Sequence, residues 1–410
     1  MATNNNDKTL NVPHLRFPEF TGEWEKYKLS EMCSFFSGGT PSSSKKEYYD
    51  GNIPFIRSGE LHDDQTELFI TEDGLKNSAA KMVEVGDLLL ALYGATSGDI
   101  AISKINGAIN QAILCIRTEQ SKKFIESIWY KHAGKLLQTY LQGGQGNLSA
   151  DIVKNISFYF ATIEEQKKLA KFISLLDERI STQNKIIEDL KKLRSAIVDK
   201  LFCLPNELVP QMRLHGFTGN WIQVRLSDVC QRIRTKNINT QCQLVLTIAA
   251  QYGLVSQEDF FNKSIASDNL EGYYFIEKDD FAYNKSYSTD YPWGAVKRLE
   301  LYSQGVLSPL YICFRPNTDI IVPDYLSHYF ESKKWHKGIA DIAGEGARNH
   351  GLLNLSVVDF FNTTHRIPSM PEQKVIADIL NKLTFKYDLE QKLHKNLLKQ
   401  RKYLLQQIFI

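Results

Sequence analysis

The sequence predicts an α+β fold in which two pseudo-symmetric globular domains are separated by two long helices of coiled-coil character. Three observations carry this. Leu15–Cys33 matches Met212–Cys230 at a spacing of 197 residues. A second pair of segments, Glu164–Ala170 and Pro371–Ala377, matches at a spacing of 207. Apolar residues at heptad spacing then follow each member of that second pair.

The opening repeat reads "FTGEWEKYKLSEMC" at Phe20–Cys33 and "FTGNWIQVRLSDVC" at Phe217–Cys230, with Arg16/Arg213, Trp24/Trp221 and Leu29/Leu226 coinciding. It holds no catalytic residue type in a catalytic pattern. Its tryptophans and leucines are therefore expected to anchor each domain against its own core or the adjoining helix. Further on, Asn106–Arg117 meets Ser303–Arg315, with Cys115 opposite Cys313, and the alternation predicts one strand in each copy. Because the spacing grows from 197 to 207, loops inside the repeat have changed length while its ends stayed fixed.

Strand-like runs and turn clusters such as "SGGTPSSSKK" fill both globular stretches, with helices expected over 121–141 and 322–343. "CLPNELVPQ" (Cys203–Gln211), with its two prolines, marks the hinge into the second half. The expected division is a polar tail at 1–14, a domain at 15–160, a helical spacer at 161–203, linker and second domain at 204–367, and a second spacer at 368–410.

In the first spacer Leu169, Ile173, Leu176, Ile180, Gln183, Ile187, Leu190, Arg194, Ile197 and Leu201 step by four and three. In the second, Ile376, Leu380, Leu383, Tyr387, Glu390, His394, Leu397, Arg401, Leu404 and Ile408 do the same. The polar interruptions recur, Gln183 opposite Glu390 and Arg194 opposite Arg401, and polar seam positions can fix register. A helix from Leu169 to Leu201 extends about 50 Å, long enough to hold two bodies apart.

Composition is that of an ordinary globular protein, with no apolar run of membrane-spanning length and no signal-peptide pattern, so a cytoplasmic location is expected. Six cysteines without a CxxC pair suggest reduced, buried thiols rather than zinc or disulfides. A formal charge of +2 neither argues for nor against nucleic acid, so any such reading rests on where the charges sit.

Catalytic motifs are missing from the sequence. It has no GxxxxGK[ST] loop and no GxGxxG opening a helix. The [N/D/S]PP[Y/F/W] motif of amino-methyltransferases is absent too, "NIPF" at Asn52–Phe55 lacking the second proline. A "PD…ESK" pattern (Asp324, Glu331, Lys333) superficially suits a stand-alone Mg-dependent endonuclease, the alternative reading. Its residues fall on a helical pattern, however, and have no counterpart in the first half. The nine histidines pair with no convincing nucleophile.

The loops are instead rich in groups that read polar edges. In the first domain these are Ser37, Thr40, Lys45, Arg57, Ser58, Tyr93, Thr96, Asn110, Gln111, Gln145 and Asn147. In the second they are Arg232, Arg234, Lys236, Asn284, Lys285, Ser286, Tyr287, Tyr291, Trp293, Arg298, Arg348 and Asn349. Asn and Gln can bond adenine, Arg and Lys guanine, and the hydroxyl and cationic groups phosphate. Aromatics interleaved with basic residues in "YNKSYSTDYPWGAVKR" suit packing against sugars or an extruded base.

The order of these parts resembles the specificity subunit of type I restriction–modification systems. "GGTPS…YYDGNIPFIRSGEL", "VGDLLLALYGATSGDIAI…NGAINQAI" and "EKDDFAYNKSYSTDYPWGAVKRL…GVLSPLYICF" look like its target-recognition domains. "EEQKKLAKFISLLDERI" and "PEQKVIADIL" look like its two helical regions, and the resemblance covers essentially the whole chain. It implies two pseudo-symmetric target-recognition domains separated by two long antiparallel coiled-coil helices. It further implies a non-catalytic reader of double-stranded DNA, each domain binding half of a split site and the helices measuring the gap. The implied partners are two modification (methyltransferase) subunits and restriction/translocase subunits, with no membrane. This chain would hold no cofactor, S-adenosylmethionine belonging to the modification subunit and ATP with Mg to the restriction subunit. Glu390 and His394, at successive seam positions, depart from the pattern and predict a less regular second helix.

Overall fold

The repeated opening segment becomes a strand that pairs with the strand just before each long helix. Glu25–Lys28 runs antiparallel to Ser157–Phe160, and Ile222–Arg225 antiparallel to Thr364–Ile367. The computed structural model describes residues 10–141, 148–249, 252–261, 269–343 and 352–410. The chain divides into two compact units, Met1–Asn184 with Lys392–Ile410, and Lys185–Gln391. Both long helices, Ile163–Leu201 and Met370–Ile408, therefore contribute to both units.

In the first unit, a four-stranded sheet has the order Ser34–Ser37, Ile113–Arg117, Leu88–Ala91, Ile100–Ile102. A second has the order Phe69–Ile70, Tyr49–Ile56, Gly107–Ile109, Lys81–Val83. The helix Lys122–Leu141 covers the first sheet, burying Phe124, Ile128 and Trp129 against Leu88, Leu90, Phe158, Leu169 and Phe409. Arg16 donates to Glu165 from Nε at 2.8 Å and Nη2 at 2.7 Å, and also to the carbonyls of Thr21 and Gly22. The neighbouring Gln166 accepts from Ser121 N and donates to Gln120 and Ala161 O, tying the start of one helix to that of the other.

The second unit repeats this from different side chains. Its four-stranded sheet has the order Cys230–Arg232, Ile312–Pro316, Phe281–Asn284, Ala295–Arg298, flanked by the pairs Leu246–Ala249 with Gly253–Ser256 and Tyr274–Glu277 with Gln304–Leu307. Arg213 holds Glu372 at 2.9 and 2.8 Å, and Gln373 accepts from Val322 N while donating to Pro368 O and Ile320 O. Phe202 is fully buried on Tyr325 and Tyr329, as Phe409 is on Trp24 and Phe124 in the first unit.

The long helices pack antiparallel. In the first unit Arg401 is paired with Asp177, and in the second Arg194 Nε donates to Thr384 Oγ1 at 3.1 Å and its guanidinium pairs with Glu331. The seam arginines are thus satisfied within each unit, which removes much of the cost of a polar seam position.

Three local expectations are corrected. The helix expected over 322–343 is two, Pro323–Glu331 and His336–Ile342. Ser332 is extended, its hydroxyl donating to Tyr329 O and accepting from Lys334 N, which stops the helix while Trp335 still packs on Phe330. The single strand expected over 106–117 is interrupted at 110–112, where the Asn110 side chain accepts from Ala112 N in a local turn. The second long helix, for its part, runs unbroken through Glu390 and His394. All six cysteines are free, Cys33 half-buried and the others buried, and burial pushes Cys115 and Cys203 up to about 12. Among the described residues no helix is long and apolar enough to cross a membrane.

Candidate nucleic-acid interface

Strand register decides which loops meet. Ile56 pairs with Ile109 in a parallel ladder, so Arg57 and Ser58 leave the sheet beside Asn110 and Gln111. Ser37 lies opposite Leu114 and Ala91 opposite Ile113, so the segments after both strands emerge where Ile113–Arg117 begins. Ser37, Thr40, Arg57, Ser58, Tyr93, Thr96, Asn110 and Gln111 are therefore gathered on one rim of the first unit. Thr40 Oγ1 donates to Gln111 Oε1 at 2.7 Å. The chain approaches so closely here that a Cβ on Gly38 would lie 1.8 Å from Ile109 O, a position only glycine fits. Thr40 and Gln111 are exposed, and Tyr93 is 37% exposed. Lys45 lies elsewhere, before the strand Tyr49–Ile56, with Nζ on the Tyr48 hydroxyl at 2.9 Å.

Arg57 is engaged twice, Nη2 reaching Glu60 Oε1 and Glu67 Oε2, each at 2.7 Å. Neither carboxylate is among the polar loop residues expected from sequence to face a ligand. Glu60, three residues on, has the spacing of a capping box and was findable, and it accepts the Arg57 backbone N–H. Burial alone would raise the Glu60 carboxyl, but the bonds from Arg57, Glu67 N and Thr66 outweigh it and hold it at about 2.

In the second unit Arg232 lies opposite Phe314 and Tyr283 opposite Ile312, and Asn284 faces Ala295. Arg232 and Arg234 thus leave the sheet on the rim that carries the 285–294 hairpin loop. The Tyr283 hydroxyl donates to Trp293 O at 2.9 Å, and Leu353 N donates to Lys285 O at 3.0 Å, bracing that loop. Ser286 is exposed and bridges to Leu352. Tyr287 and Trp293 pack on the core that holds Phe281 and Phe314, while Tyr291 packs on a second apolar cluster that holds Leu246, Ile276 and Leu307, leaving all three half-buried. Lys236 donates to Gly272 O at 2.6 Å and sits 4.0 Å above the Tyr274 ring.

Arg298 lies at the far end of the same sheet, opposite Phe281, its side chain 13% exposed and bound to Asp324, Glu300 and Asp279. Gln145, Asn147, Arg348 and Asn349 fall outside the described residues. The "PD…ESK" residues do not converge. Asp324 accepts from Arg298 and Asn381, while Glu331, seven residues on, accepts from Arg194 and His328. Among the described residues no three His, Cys, Asp or Glu side chains are grouped to hold a metal.

Each unit thus presents a rim of amide, hydroxyl, aromatic and cationic side chains at the end of a sheet. The sequence profile of the type I restriction modification DNA specificity domain matches residues 21–192. The specificity subunit of the MjaVIII type I restriction enzyme of Methanocaldococcus jannaschii is 28% identical over 223 residues, covering 52% of this chain and 50% of that protein. The EcoR124I/EcoR124II specificity subunit of Escherichia coli is 25% identical over 189 residues, covering 43% and 46%. The chain spans about half the length of the curated relatives it matches. A crystal structure of the type I restriction–modification S subunit from M. genitalium shares the fold, with 17% identity and a TM-score of 0.59 over 97% of this chain and 99% of that one. A chain from a structural study of assembly and conformational transition in the type I system does so with 15% identity and a TM-score of 0.56 over 93% and 96%. With the duplicated sheets, their paired anchors and two long antiparallel helices, these matches lead to one statement: residues 21–192 match the type I restriction modification DNA specificity domain, and the chain is similar to type I restriction–modification specificity subunits in sequence over about half its length and in fold over nearly all of it.

Proposed function

We propose that this chain is a non-catalytic reader of a bipartite site in double-stranded DNA. Residues 15–160 read one half-site, the domain within 204–367 reads the other, and the helical regions 161–203 and 368–410 set the gap and dock two modification subunits. Restriction/translocase subunits complete the assembly. S-adenosylmethionine, ATP and Mg are used by those partners, and this chain takes no cofactor. The proposed location is the cytoplasm, where the DNA lies.

The observation that carries this reading is the register-driven gathering of polar loops on one rim of each sheet, made twice in one chain. A split site needs two readers at a fixed separation, and duplication of one reader on stiff helices meets that need with the two-fold character of the duplex. A near-neutral net charge suits such a reader if the partner subunits supply phosphate contacts.

Co-expression with a modification subunit, followed by methylation mapping, tests it. The expected result is adenine methylation at one split motif, and exchange of residues 212–367 for those of a relative should change one half of that motif. Change in both halves, or in neither, would overturn the assignment of one domain to one half-site.

A further inference from the structure

Resting on that reading, we infer that Arg57 is a base-reading arginine held ready by Glu60, and that Glu67 is an internal competitor which the DNA must displace. Arg57 follows the strand Tyr49–Ile56 directly onto the rim, beside Asn110 and Gln111, with its side chain 41% exposed. Its two carboxylate partners are unlike each other. Glu60 is 11% exposed and tied down by Arg57 N at 2.9 Å and Thr66 Oγ1 at 3.0 Å, so it is a fixed support. The Glu67 side chain is 83% exposed and meets the guanidinium at Nη2.

An exposed ion pair of this kind is cheap to break. The guanidinium is also incompletely satisfied, because its Nε is buried and finds no acceptor among the described residues. A buried unpaired N–H favours rearrangement as soon as an acceptor is offered. Guanine O6 and N7 offer two acceptors in the spacing of an arginine fork, which a lysine cannot match. Glu60 is thus a positioning residue. Glu67 neutralises Arg57 in the free chain, so the base contact contributes to binding only what remains after that ion pair is released.

The test uses the full chain assembled with its modification subunit, with methylation mapping and DNA-binding titrations over a range of salt. Absence of sequence-specific methylation by the unaltered complex would sink the DNA-reader assignment itself, separately from this proposal. Given that activity, Arg57→Lys should relax one base position in one half-site, and Arg57→Ala should do the same, thermal unfolding reporting that both variants fold. Glu67→Gln should tighten cognate binding about twofold to fivefold without changing the motif.

The decisive measurement is the double variant. In the Arg57→Ala background Glu67→Gln should have no effect, because its role is exerted through Arg57. Equal tightening with and without Arg57 would mean that Glu67 acts only as a general negative charge, and the proposal would fall. An unchanged motif in both Arg57 variants would overturn it as well.

Discussion

Trp24 donates its indole Nε1–H to the Glu165 carboxylate at 3.2 Å, across 141 residues of chain, and Trp221 does the same to Glu372 at 3.3 Å. Each carboxylate also receives an arginine fork, Arg16 in one unit and Arg213 in the other. This explains why the opening segment is written twice. Its arginine and tryptophan are the donors for a carboxylate on the first turn of the long helix, so each domain is locked to the helix that comes after it.

Glu165→Gln keeps the shape of that site but leaves Arg16 without its counter-charge. The Glu165 side chain is 1% exposed and that of Arg16 15%, so the pair is poorly screened. A loss of about 3 kcal/mol is expected for the first unit, and a similar loss in the second for Glu372→Gln. Denaturant unfolding followed by tryptophan fluorescence measures both. Unchanged midpoints would show that the anchor is dispensable.

His365 makes stability depend on pH. It is buried between Tyr329 OH on Nδ1 at 2.8 Å and Thr363 Oγ1 on Nε2 at 2.9 Å. The Thr363 hydroxyl donates to Phe360 O, so it accepts from Nε2–H, and Nδ1 is left to accept from the tyrosine. Burial lowers this imidazole to about 4 from its usual 6.5. The folded pKa is depressed, so the unfolded chain binds the proton more readily between those values. Stability is fully present above pH 6.5 and falls as pH drops toward 4, by about 3 kcal/mol in total. His365→Gln should flatten this part of the profile, and an unaltered slope would assign it to other groups.

The anchors and the helices were legible because they are periodic or repeated. Arg16, Trp24 and Glu165 each have a counterpart, and a seam from Leu169 to Leu201 shows itself in spacing alone. The break at Ser332 was not legible, since Tyr329, Phe330, Trp335 and Ile339 fit a helical pattern and one hydroxyl decides against it. The rim was hidden as well. Ser34–Ser37 pairs with Ile113–Arg117, a neighbour about eighty residues away in sequence, and nothing local announces that Thr40 will meet Gln111. Polar loop residues looked alike in sequence. Register separates Arg57, on the rim, from Arg298, at the opposite end of its sheet and held by three carboxylates.

That separation makes a contrast experiment. Gln111→Ala should make the motif degenerate at one position of one half-site, since a lost amide–base pair costs about 1–3 kcal/mol of discrimination. Arg298→Ala should lower stability and leave the motif intact, because the side chain is committed to Asp324 and Glu300. Methylation mapping and thermal unfolding on the same preparations distinguish the two. A motif altered by Arg298→Ala would put that arginine back among the readers.

Four residues inserted after Arg179 would lengthen the first long helix by about 6 Å and rotate its C-terminal portion by about 40° beyond a full turn. The insertion falls between Asp177, which pairs with Arg401, and Arg194, which pairs with Thr384. Both pairs lie within units that keep their own sheets and anchors, so the rims are untouched. A longer tolerated gap, or abolished methylation, is expected, with both half-site sequences unchanged wherever methylation survives. Mapping the surviving sites checks this: if a half-site sequence changed instead, the helices would be shaping base readout and not only spacing.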